Sequence, residues 1–394
     1  MSAPAPLRTL LCISFLASLG TGVMWNGISF VAKDEFGWGE AANFALLAVT
    51  AAIYAVAALA VGKLVRAASG RLSPRGAVAL ALGSMGLGCV PIAIWPTPAM
   101  LWLAACVASV AAASLWPIIE AYVAGGRHGA PMRSALGWWN LCWTIAVPVA
   151  MALMGPLLAT GHAVLAIAVL APLNAVALAF VPALPRQPAA HDVEHAAAEM
   201  TEEYPHLLRS VRALLPFSYV LVGALSPLMP YRLADLGVDL GWQTPIVAAW
   251  MIGRIFVLTL LWRTSFWHGR WGTLLVGALC LLAGFAAVVL SPTLWLLLAG
   301  LTAFGVGMGV IYYAAIYYAL SVGHAEVDAG GTHEALIGAG YTLGPLIGLV
   351  AFTLQEGRAG ASWLVVGTFV VSIFAVAQSL RAYRDARRFR RSRA

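Results

Sequence analysis

The sequence predicts an all-α integral membrane protein with twelve transmembrane helices in two six-helix repeats and with both termini in the cytoplasm. Of the 394 residues, 61% are hydrophobic and only 10% are charged, whereas about 25% of residues are charged in a typical soluble domain. The hydrophobic residues occur in runs of roughly 18–25, long enough to cross a hydrocarbon core of about 30 Å as helices. Barrel strands of about 10 alternating residues would not produce such runs.

Pro and Gly residues separate the apolar runs and mark the limits of the predicted spans. In order, the spans are residues 10–32, 41–62, 76–95, 99–122, 134–158, 162–183, 213–230, 244–262, 272–291, 293–320, 333–354 and 363–380. The first run has no small-residue cleavage site after a short core, so we expect a retained helix rather than a removed signal peptide. An even number of spans places both termini on one side of the membrane.

Lys and Arg residues between the spans predict the orientation, because positive residues are retained in the cytoplasm. With a cytoplasmic amino terminus, nineteen basic residues lie on the inner side, and only Lys33, Arg232 and Arg358 lie on the outer side. The net charge of +7 therefore reflects topology and attraction to anionic lipid headgroups. We expect a monomeric, multi-pass protein of the cytoplasmic (inner) membrane that contacts membrane lipids and no nucleic acid.

The longest polar interval divides the chain into two halves. The predicted organisation is an amino-terminal six-helix bundle at 1–185, a cytoplasmic linker at 186–212, a carboxyl-terminal bundle at 213–380 and a basic cytoplasmic tail at 381–394. The segments 30–39 and 229–241, which end the first span of each half, both contain a basic residue, an acidic residue and then Gly. Two parallel six-helix repeats are typical of transporters that rock around a central site.

The loop after the second span, GKLVRAASGR at 62–71, resembles the G-x-L-x-D-R-x-G-R-[RK] signature of the major facilitator superfamily. The segment GTHEALIGAGYTLGPLIG at 331–348 is similar to the family's Gly- and Pro-rich eleventh span. The loop contains one extra residue, and Val65 and Arg66 stand where the family has the Asp of the inner gate. The resemblance covers essentially the whole chain, and it implies the twelve-helix fold of that family and transport by alternating access.

The linker contains His191-Asp-Val-Glu194-His195, a match to the H-x-x-E-H pattern of zinc peptidases. A peptidase needs a third ligand and a packed scaffold, and this segment is rich in Ala and Glu, so we interpret it as a surface helix. The five cysteines all lie in predicted spans and form no CxxC pair. No nucleophile elbow, P-loop or dinucleotide fingerprint is present in a suitable context. We expect no enzymatic activity, no cofactor and no metal site.

The segment AWMIGRIFVL at 249–258 places Arg254 near the middle of the eighth span. A central arginine costs at least about 2.5–3.5 kcal/mol on insertion scales, so it should face the bundle interior and have a partner. Trp250, one turn earlier, can stack on the guanidinium. Arg254 either binds an anionic group of the substrate, pairs with a coupling carboxylate, or is satisfied by carbonyls, side chains and water. No acid in another span lies at the same predicted depth, which favours a substrate anion.

Further cavity candidates follow from the resemblance, which implies that spans one, four, seven and ten line the cavity beside two, five, eight and eleven. The substrate-binding candidates are Arg254, Trp250, Asn26, Trp25, Asn140, Trp143, Trp116, Tyr313, Tyr317 and Tyr341, and Tyr54, Tyr219 and Ser226 are further polar residues of these spans. Two pairs, Tyr313 with Tyr317 and Asn140 with Trp143, lie one turn apart and can share a helix face. For any one aromatic residue, packing between helices is the competing interpretation.

Two acids lie near the inner ends of spans. For Glu120, the resemblance suggests pairing with Arg66, Arg71 or Arg133 when the inner side is closed; alternatively, Glu120 carries the proton that couples transport to a proton gradient. Glu334 is available for the same coupling role, or it is a carboxylate at a helix amino terminus that the helix dipole stabilises.

These observations together predict a secondary transporter, a symporter or antiporter, for a small organic solute that is anionic or zwitterionic, with protons as the coupling ion. A drug or metabolite efflux pump of the same fold is one alternative, although a cationic drug would be better matched by a deep carboxylate. A transporter-like membrane sensor or assembly partner that no longer transports is another, and the missing gate aspartate favours it.

Overall fold

The computed structural model describes residues 3–68, 71–190, 202–322 and 327–391. Twelve helices in this part of the chain are long and apolar enough to cross a membrane, which confirms the predicted fold class. They are α1 (Leu7–Phe36), α2 (Glu40–Ala67), α3 (Pro74–Ile94), α4 (Pro98–Ala124), α5 (Gly129–Ala159), α6 (Leu165–Ala183), α7 (Tyr204–Asp235), α8 (Leu240–Arg263), α9 (Trp271–Leu290), α10 (Leu294–Val322), α11 (Val327–Leu354) and α12 (Gly357–Arg391). The zinc-like pattern between His191 and His195 lies outside the described residues.

Several helices extend beyond the predicted spans at their charged ends. Helix α7 begins at Tyr204, inside the predicted linker, and α12 continues through the predicted tail to Arg391. Hydropathy marks only the apolar stretch that matches the hydrocarbon core, whereas helical hydrogen bonding continues where arginine side chains reach water and headgroups. The last residues of the linker and most of the basic tail are therefore helical.

The same helix pairings occur in each half of the chain. In the first half, α1 packs on α5 and α6, and α4 packs on α2 and α3; in the second half, α7 packs on α11 and α12, and α10 packs on α8 and α9. The halves meet where α2 packs on α11 and where α5 packs on α8. Helix α2 corresponds to α8 in the other half, and α11 corresponds to α5, so each of these two contacts is the counterpart of the other. This symmetry supports two parallel repeats.

Both ends of the chain lie at one end of the bundle. Arg127, between α4 and α5, donates a hydrogen bond to the carbonyl oxygen of Ala5. Arg209, in the first turns of α7, donates to Asp385 of α12 over 3.0 Å. We call this end of the bundle the terminal end. Its location in the cytoplasm remains a prediction from the distribution of basic residues.

The two halves also touch on both sides of the bundle centre. At the end opposite to the terminal end, Asn43 Nδ2 donates to the Tyr231 hydroxyl over 2.7 Å, and Tyr231 donates to the carbonyl oxygen of Trp38 over 2.7 Å. Nearer the terminal end, the rings of Trp138 and Trp262 meet with centroids 5.1 Å apart. The two halves therefore contact each other on both sides of the bundle centre.

Two irregularities lie where helices approach the bundle centre. Helix α1 contains a π-helical segment, Gly22–Gly27, and α8 is interrupted at Ala248 between Leu240–Val247 and Ala249–Arg263. A π-helical turn is frequent at functional sites because the inserted residue changes the direction of neighbouring side chains. The segment in α1 carries Trp25 and Asn26, both buried.

Candidate functional site

A cavity of about 90 Å³ lies between the two halves at the middle of the bundle. About 10–15 Å³ of such volume holds one water molecule, so the cavity has room for several waters or a small organic molecule. Most of its wall is aromatic, and its charged lining residues are Arg254 and Glu334. The lining residues are Ser18, Thr21, Trp25, Asn26, Tyr54, Trp116, Trp139, Trp143, Val147, Tyr219, Trp250, Met251, Arg254, Tyr312, Glu334, Ile337 and Tyr341.

Close packing between α8 and α10 places Arg254 in the wall of this cavity. A Cβ atom on Gly305 would lie 1.7 Å from the carbonyl oxygen of Trp250, and one on Gly253 would lie 2.2 Å from the carbonyl oxygen of Thr302. Each glycine therefore lets its helix approach the backbone of the other. Small residues at such an interface are what permits close approach of membrane helices.

The substitution Gly305→Ala is expected to destabilise the protein, because the added methyl group collides with the backbone of α8. Overpacking of this kind costs about 1–3 kcal/mol. With an unfolding entropy of about 2.1 cal/mol/K per residue, each kcal/mol lowers the melting temperature of a 394-residue chain by about 1 °C, so the melting temperature in detergent should fall by about 1–4 °C. The matched control is Gly83→Ala in α3, where a Cβ atom meets nothing within 4 Å. An equal change in melting temperature for both variants would contradict this account of the interface.

Arg254 is a buried cation with unused hydrogen-bond donors. It is 1% exposed, and its Cζ lies 4.4 Å from the ring centroid of Trp143 and 4.5 Å from that of Tyr312. Trp250 lies 5.7 Å away, in agreement with the predicted cation–π contact. Tyr219 lines the same cavity, but Nε and Nη2 of the guanidinium are buried without a hydrogen-bond partner in the described part of the chain. Arg254 therefore has two unfilled donor positions.

Asn140 and Trp143 share a helix face, as their spacing predicts, but only Trp143 lines the cavity. Trp143 Nε1 donates to Asn140 Oδ1 over 3.1 Å, and Asn140 Nδ2 donates to the carbonyl oxygen of Leu136 over 2.9 Å. The prediction that Asn140 contacts the substrate is therefore corrected, since its amide is engaged by its own helix and by the indole. Its position fixes the orientation of the ring that covers Arg254.

Glu334 belongs to a buried cluster at the edge of the same cavity. It is 5% exposed, and its Oε2 accepts a hydrogen bond from the Tyr54 hydroxyl. Ligand atoms of Glu120, His333 and Glu334 all lie within 4.8 Å of one another. Two neighbouring carboxyl groups can share one proton, because a protonated carboxyl group has a donor and an ionised one accepts.

This cluster could hold either a proton or a metal ion. A metal requires deprotonated carboxylates and neutral imidazole, whereas a shared proton removes the repulsion between two neighbouring carboxylates. The guanidinium of Arg254 in the wall of the same cavity also disfavours a divalent cation. Glu120 Oε1 and His333 Nε2 are buried without a partner in the described residues, so further positions are present that can accept a proton. The geometry therefore fits a proton site better than a metal site.

A line of aromatic rings connects the arginine with the acids. The ring centroid of Trp25 lies 5.2 Å from that of Tyr54 and 4.9 Å from that of Tyr341, and Tyr341 lies 5.0 Å from Tyr219. Tyr54 contacts the acidic cluster at one end of this line, and Tyr219 contacts the guanidinium at the other. Flat, apolar surface thus lies between a cationic and an acidic group.

The structure brings most of the predicted substrate-binding residues to the cavity. Those that line it are Arg254, Trp250, Asn26, Trp25, Trp143, Trp116 and Tyr341, together with Tyr54 and Tyr219. Tyr313 and Tyr317 require a correction, because they lie in a separate cavity nearer the terminal end, beside Trp267. Successive helix residues differ in direction by about 100°, so Tyr312 faces the guanidinium while Tyr313 points away from it.

The predicted gating residues are also placed differently from the expectation. Glu120 lies beside Glu334, with ligand atoms of the two within 4.8 Å of each other, whereas the resemblance suggests a loop arginine as the partner of Glu120. Helix α11 begins at Val327, seven residues before Glu334, so the interpretation of Glu334 as a helix amino-terminal carboxylate is wrong. Of the three arginines, Arg66 and Arg71 are exposed at the terminal end, and Arg133 lines the separate cavity beside Trp267.

Tyr312, Trp139 and His333 belong to the site but are not among the residues predicted from sequence. A signal for Tyr312 exists: Gly305 and Gly309 mark the face of α10 that packs on α8, and Tyr312 follows on that face at helical spacing. The sequence does not distinguish Trp139 and His333 in this way, because other aromatic and polar residues lie close to them in the sequence. Only the rotation of each helix in the bundle selects them.

Twelve spanning helices in two repeated halves, with polar groups in a cavity midway along the bundle, define a multi-pass membrane protein of the transporter class. The chain belongs to the Major Facilitator Superfamily, whose family model matches residues 10–349. This confirms the resemblance seen in the sequence. A transporter of this fold implies a small-molecule substrate.

Solved structures of other transporters share the fold. The crystal structure of the nucleoside transporter NupG has 15% identity and a TM-score of 0.65, covering 96% of this chain and 98% of that one. A bacterial homologue of the human lysosomal transporter Spinster, inward-facing and unoccupied, has 15% identity and a TM-score of 0.65, covering 97% and 96%. The human organic anion transporter MFSD10 has 13% identity and a TM-score of 0.63, covering 93% and 98%. Comparison with curated proteins gives no match.

Proposed function

We propose that this protein is a secondary transporter that carries a small organic anion across the membrane by alternating access, together with a proton. The observation that carries the proposal is Arg254, a buried cation in the central cavity whose Nε and Nη2 have no partner in the described residues. An unsatisfied buried donor costs about 1–3 kcal/mol, and more for a charged group. An anionic ligand would supply both missing acceptors.

The shape of the guanidinium supports a carboxylate or phosphate group as the anion. Nε and Nη2 lie on one edge of the planar group and offer two roughly parallel N–H donors, a geometry that matches two oxygens of one anion. Trp143 and Tyr312 contact the same guanidinium and restrict its plane. The solved structure of MFSD10 belongs to a protein described as an organic anion transporter, which is compatible with this substrate class.

The aromatic wall supports a substrate that also has a flat or apolar part. Trp25, Trp250 and Tyr341 line the cavity beside the guanidinium, and aromatic rings interact favourably with planar groups by stacking or edge contacts. A substrate with a ring and one anionic group would use both features. A small, fully polar anion would leave the aromatic surface without a partner.

The acidic cluster supports a proton as the coupling ion. Glu334 lines the same cavity as Arg254, so an ionised Glu334 would compete with the substrate anion for the positive charge. A proton shared by Glu334 and Glu120 removes that competition and leaves Arg254 available for the ligand. Binding of the anion and binding of the proton should therefore favour each other, as linkage requires.

Uptake into proteoliposomes tests the proposal. The panel should contain aromatic carboxylates, aliphatic carboxylates and organic phosphates, with uncharged nucleosides as neutral ring-containing controls, each measured with and without an imposed pH gradient. We expect saturable uptake of at least one ring-containing anion, accelerated when the pH is lower on the side of the substrate. Binding without flux across the panel would favour the sensor alternative, and selective movement of organic cations would favour the efflux alternative.

A further inference from the structure

A second, larger cavity of about 840 Å³ opens on the outer surface of the carboxyl-terminal half near the terminal end. Its walls come from α8, α9, α10 and the last turns of α12, and it shares no lining residue with the central cavity. The proposed transport function does not use it. Its apolar and its charged lining residues lie in separate regions, and this separation indicates the chemistry of a ligand. We call it the lateral groove.

The inner part of the lateral groove is apolar. Phe256 and Leu260 of α8 and Val276 of α9 line it, and their side chains are 67%, 38% and 54% exposed. Phe256 lies seven residues before the end of α8 at Arg263, which places it about 10 Å along the helix at 1.5 Å per residue. This part of the groove therefore lies at the depth of lipid acyl chains.

The rim of the lateral groove is basic. Arg270, Arg387 and Arg390 line it, with Glu203 as the acidic residue of the lining. Glu203 is already engaged, because its Oε1 accepts from Arg390 Nε over 2.5 Å and its Oε2 accepts from Trp271 Nε1 over 3.1 Å. Within the described ranges, neither Arg270 nor Arg387 has a carboxylate at ion-pair distance. Two cations are left at the rim without a fixed counter-charge.

The wall formed by α12 is held by contacts of its own. The ring centroids of Trp271 and Tyr383 lie 5.2 Å apart, a contact that joins α9 to α12. The link between Glu203 and Arg390 adds a hydrogen bond that the neighbouring charges strengthen, and it joins the start of α7 to the tail. The groove is thus bounded on its polar side by an ordered helix rather than by a loose chain end.

We propose that the lateral groove binds one anionic phospholipid from the membrane leaflet at the terminal end. The phosphate lies between Arg270 and Arg387, and an acyl chain lies along Phe256, Leu260 and Val276. Charge complementarity selects an anionic over a zwitterionic headgroup, because each basic residue near the membrane surface contributes about 1 kcal/mol toward anionic lipid. The bound lipid also contacts α12 together with α8 and α9, so it stabilises the docked position of the tail.

Native mass spectrometry of the detergent-purified, delipidated protein tests this site with two added lipids of identical chains, a phosphatidylglycerol and a phosphatidylcholine. We expect one tightly retained phosphatidylglycerol per protein. The double variant Arg270→Gln/Arg387→Gln should lose about 30-fold in preference for phosphatidylglycerol, as two cations near the surface imply. Both arginines are exposed, so the variant should fold, and its unchanged melting temperature without lipid would show that it does.

The matched control is Arg381→Gln/Arg384→Gln, which removes the same charge from α12 at exposed positions outside the groove lining. It should keep the preference for phosphatidylglycerol. An equal loss in both double variants would overturn the proposal in favour of general surface attraction. Displacement of the lipid by millimolar inorganic phosphate or glycerol phosphate would also overturn it, because the site would then recognise a headgroup without its chains. Neither outcome bears on transport by the central cavity.

Discussion

Replacing Arg254 with glutamine is expected to weaken binding of the transported anion by about 30-fold or more, because truncating one partner of a buried charge pair costs about 2–5 kcal/mol. The guanidinium is 1% exposed, and its two unpartnered donors line the cavity. A glutamine amide offers fewer donors and no charge. The measurement is substrate affinity of the purified protein by calorimetry or ligand-induced thermal stabilisation, followed by uptake into proteoliposomes.

Two further variants test whether the loss of affinity is specific to the guanidinium of Arg254. Arg254→Lys keeps the charge but loses the planar pair of donors, so its affinity should fall between those of the wild type and the glutamine variant. Arg263→Gln is the matched control, since Arg263 ends the same helix, is exposed and lies outside the central cavity lining. If Arg254→Gln bound the anion as tightly as Arg263→Gln, Arg254 would have a structural role and the assigned substrate class would be wrong.

The second large effect is expected for Glu334→Gln, which should abolish uptake driven by a pH gradient, because the proposed proton relay loses its ionisable group. Glutamine can keep a hydrogen bond with Tyr54, but it cannot release a proton. Anion binding should survive, because a neutral side chain resembles the protonated carboxyl group. The measurement is gradient-driven uptake compared with exchange of labelled for unlabelled substrate at equal pH, which needs no net proton movement.

Glu356→Gln serves as the control for this prediction, because Glu356 is exposed and lies between α11 and α12. It should leave both uptake and exchange unchanged. Glu120→Gln should reduce gradient-driven uptake as well, since Glu120 lies within reach of the same proton as Glu334. Full gradient-driven uptake by Glu334→Gln would exclude this residue as the proton carrier. Loss of exchange along with uptake would indicate instead that Glu334 is needed for substrate binding.

Much of the site could be predicted from sequence where a single helix carries the information. Arg254 is exceptional in any hydropathy profile, so its location in the bundle interior follows from the cost of placing it in lipid. Trp250 and Trp143 follow from helical spacing and from the position of their spans. Tyr313 was predicted to line the cavity, but Tyr312 does so instead. For adjacent tyrosines, the sequence alone does not show which side chain faces inward.

The distance between Arg254 and the two glutamates was harder to predict from the sequence. The sequence places Glu120 and Glu334 near the inner ends of their spans and Arg254 near a span centre, and it therefore predicts that no acid lies close to the arginine. In the structure, Glu334 lines the same cavity as Arg254. Depth estimated from span limits is uncertain by several residues, and long glutamate and arginine side chains cover the remaining distance.

The sequence by itself determined that this chain is a twelve-span membrane protein of two similar halves with a cation in its interior. Each of these properties follows from local composition measured against a hydrocarbon layer of nearly constant thickness. Only the tertiary structure decided which residues meet. The contacts of Gly305 with α8, of α2 with α11 and of α5 with α8 set the rotation of each helix, and a difference of about 100° per residue then separates a cavity-lining side chain from one that faces lipid or a neighbouring helix.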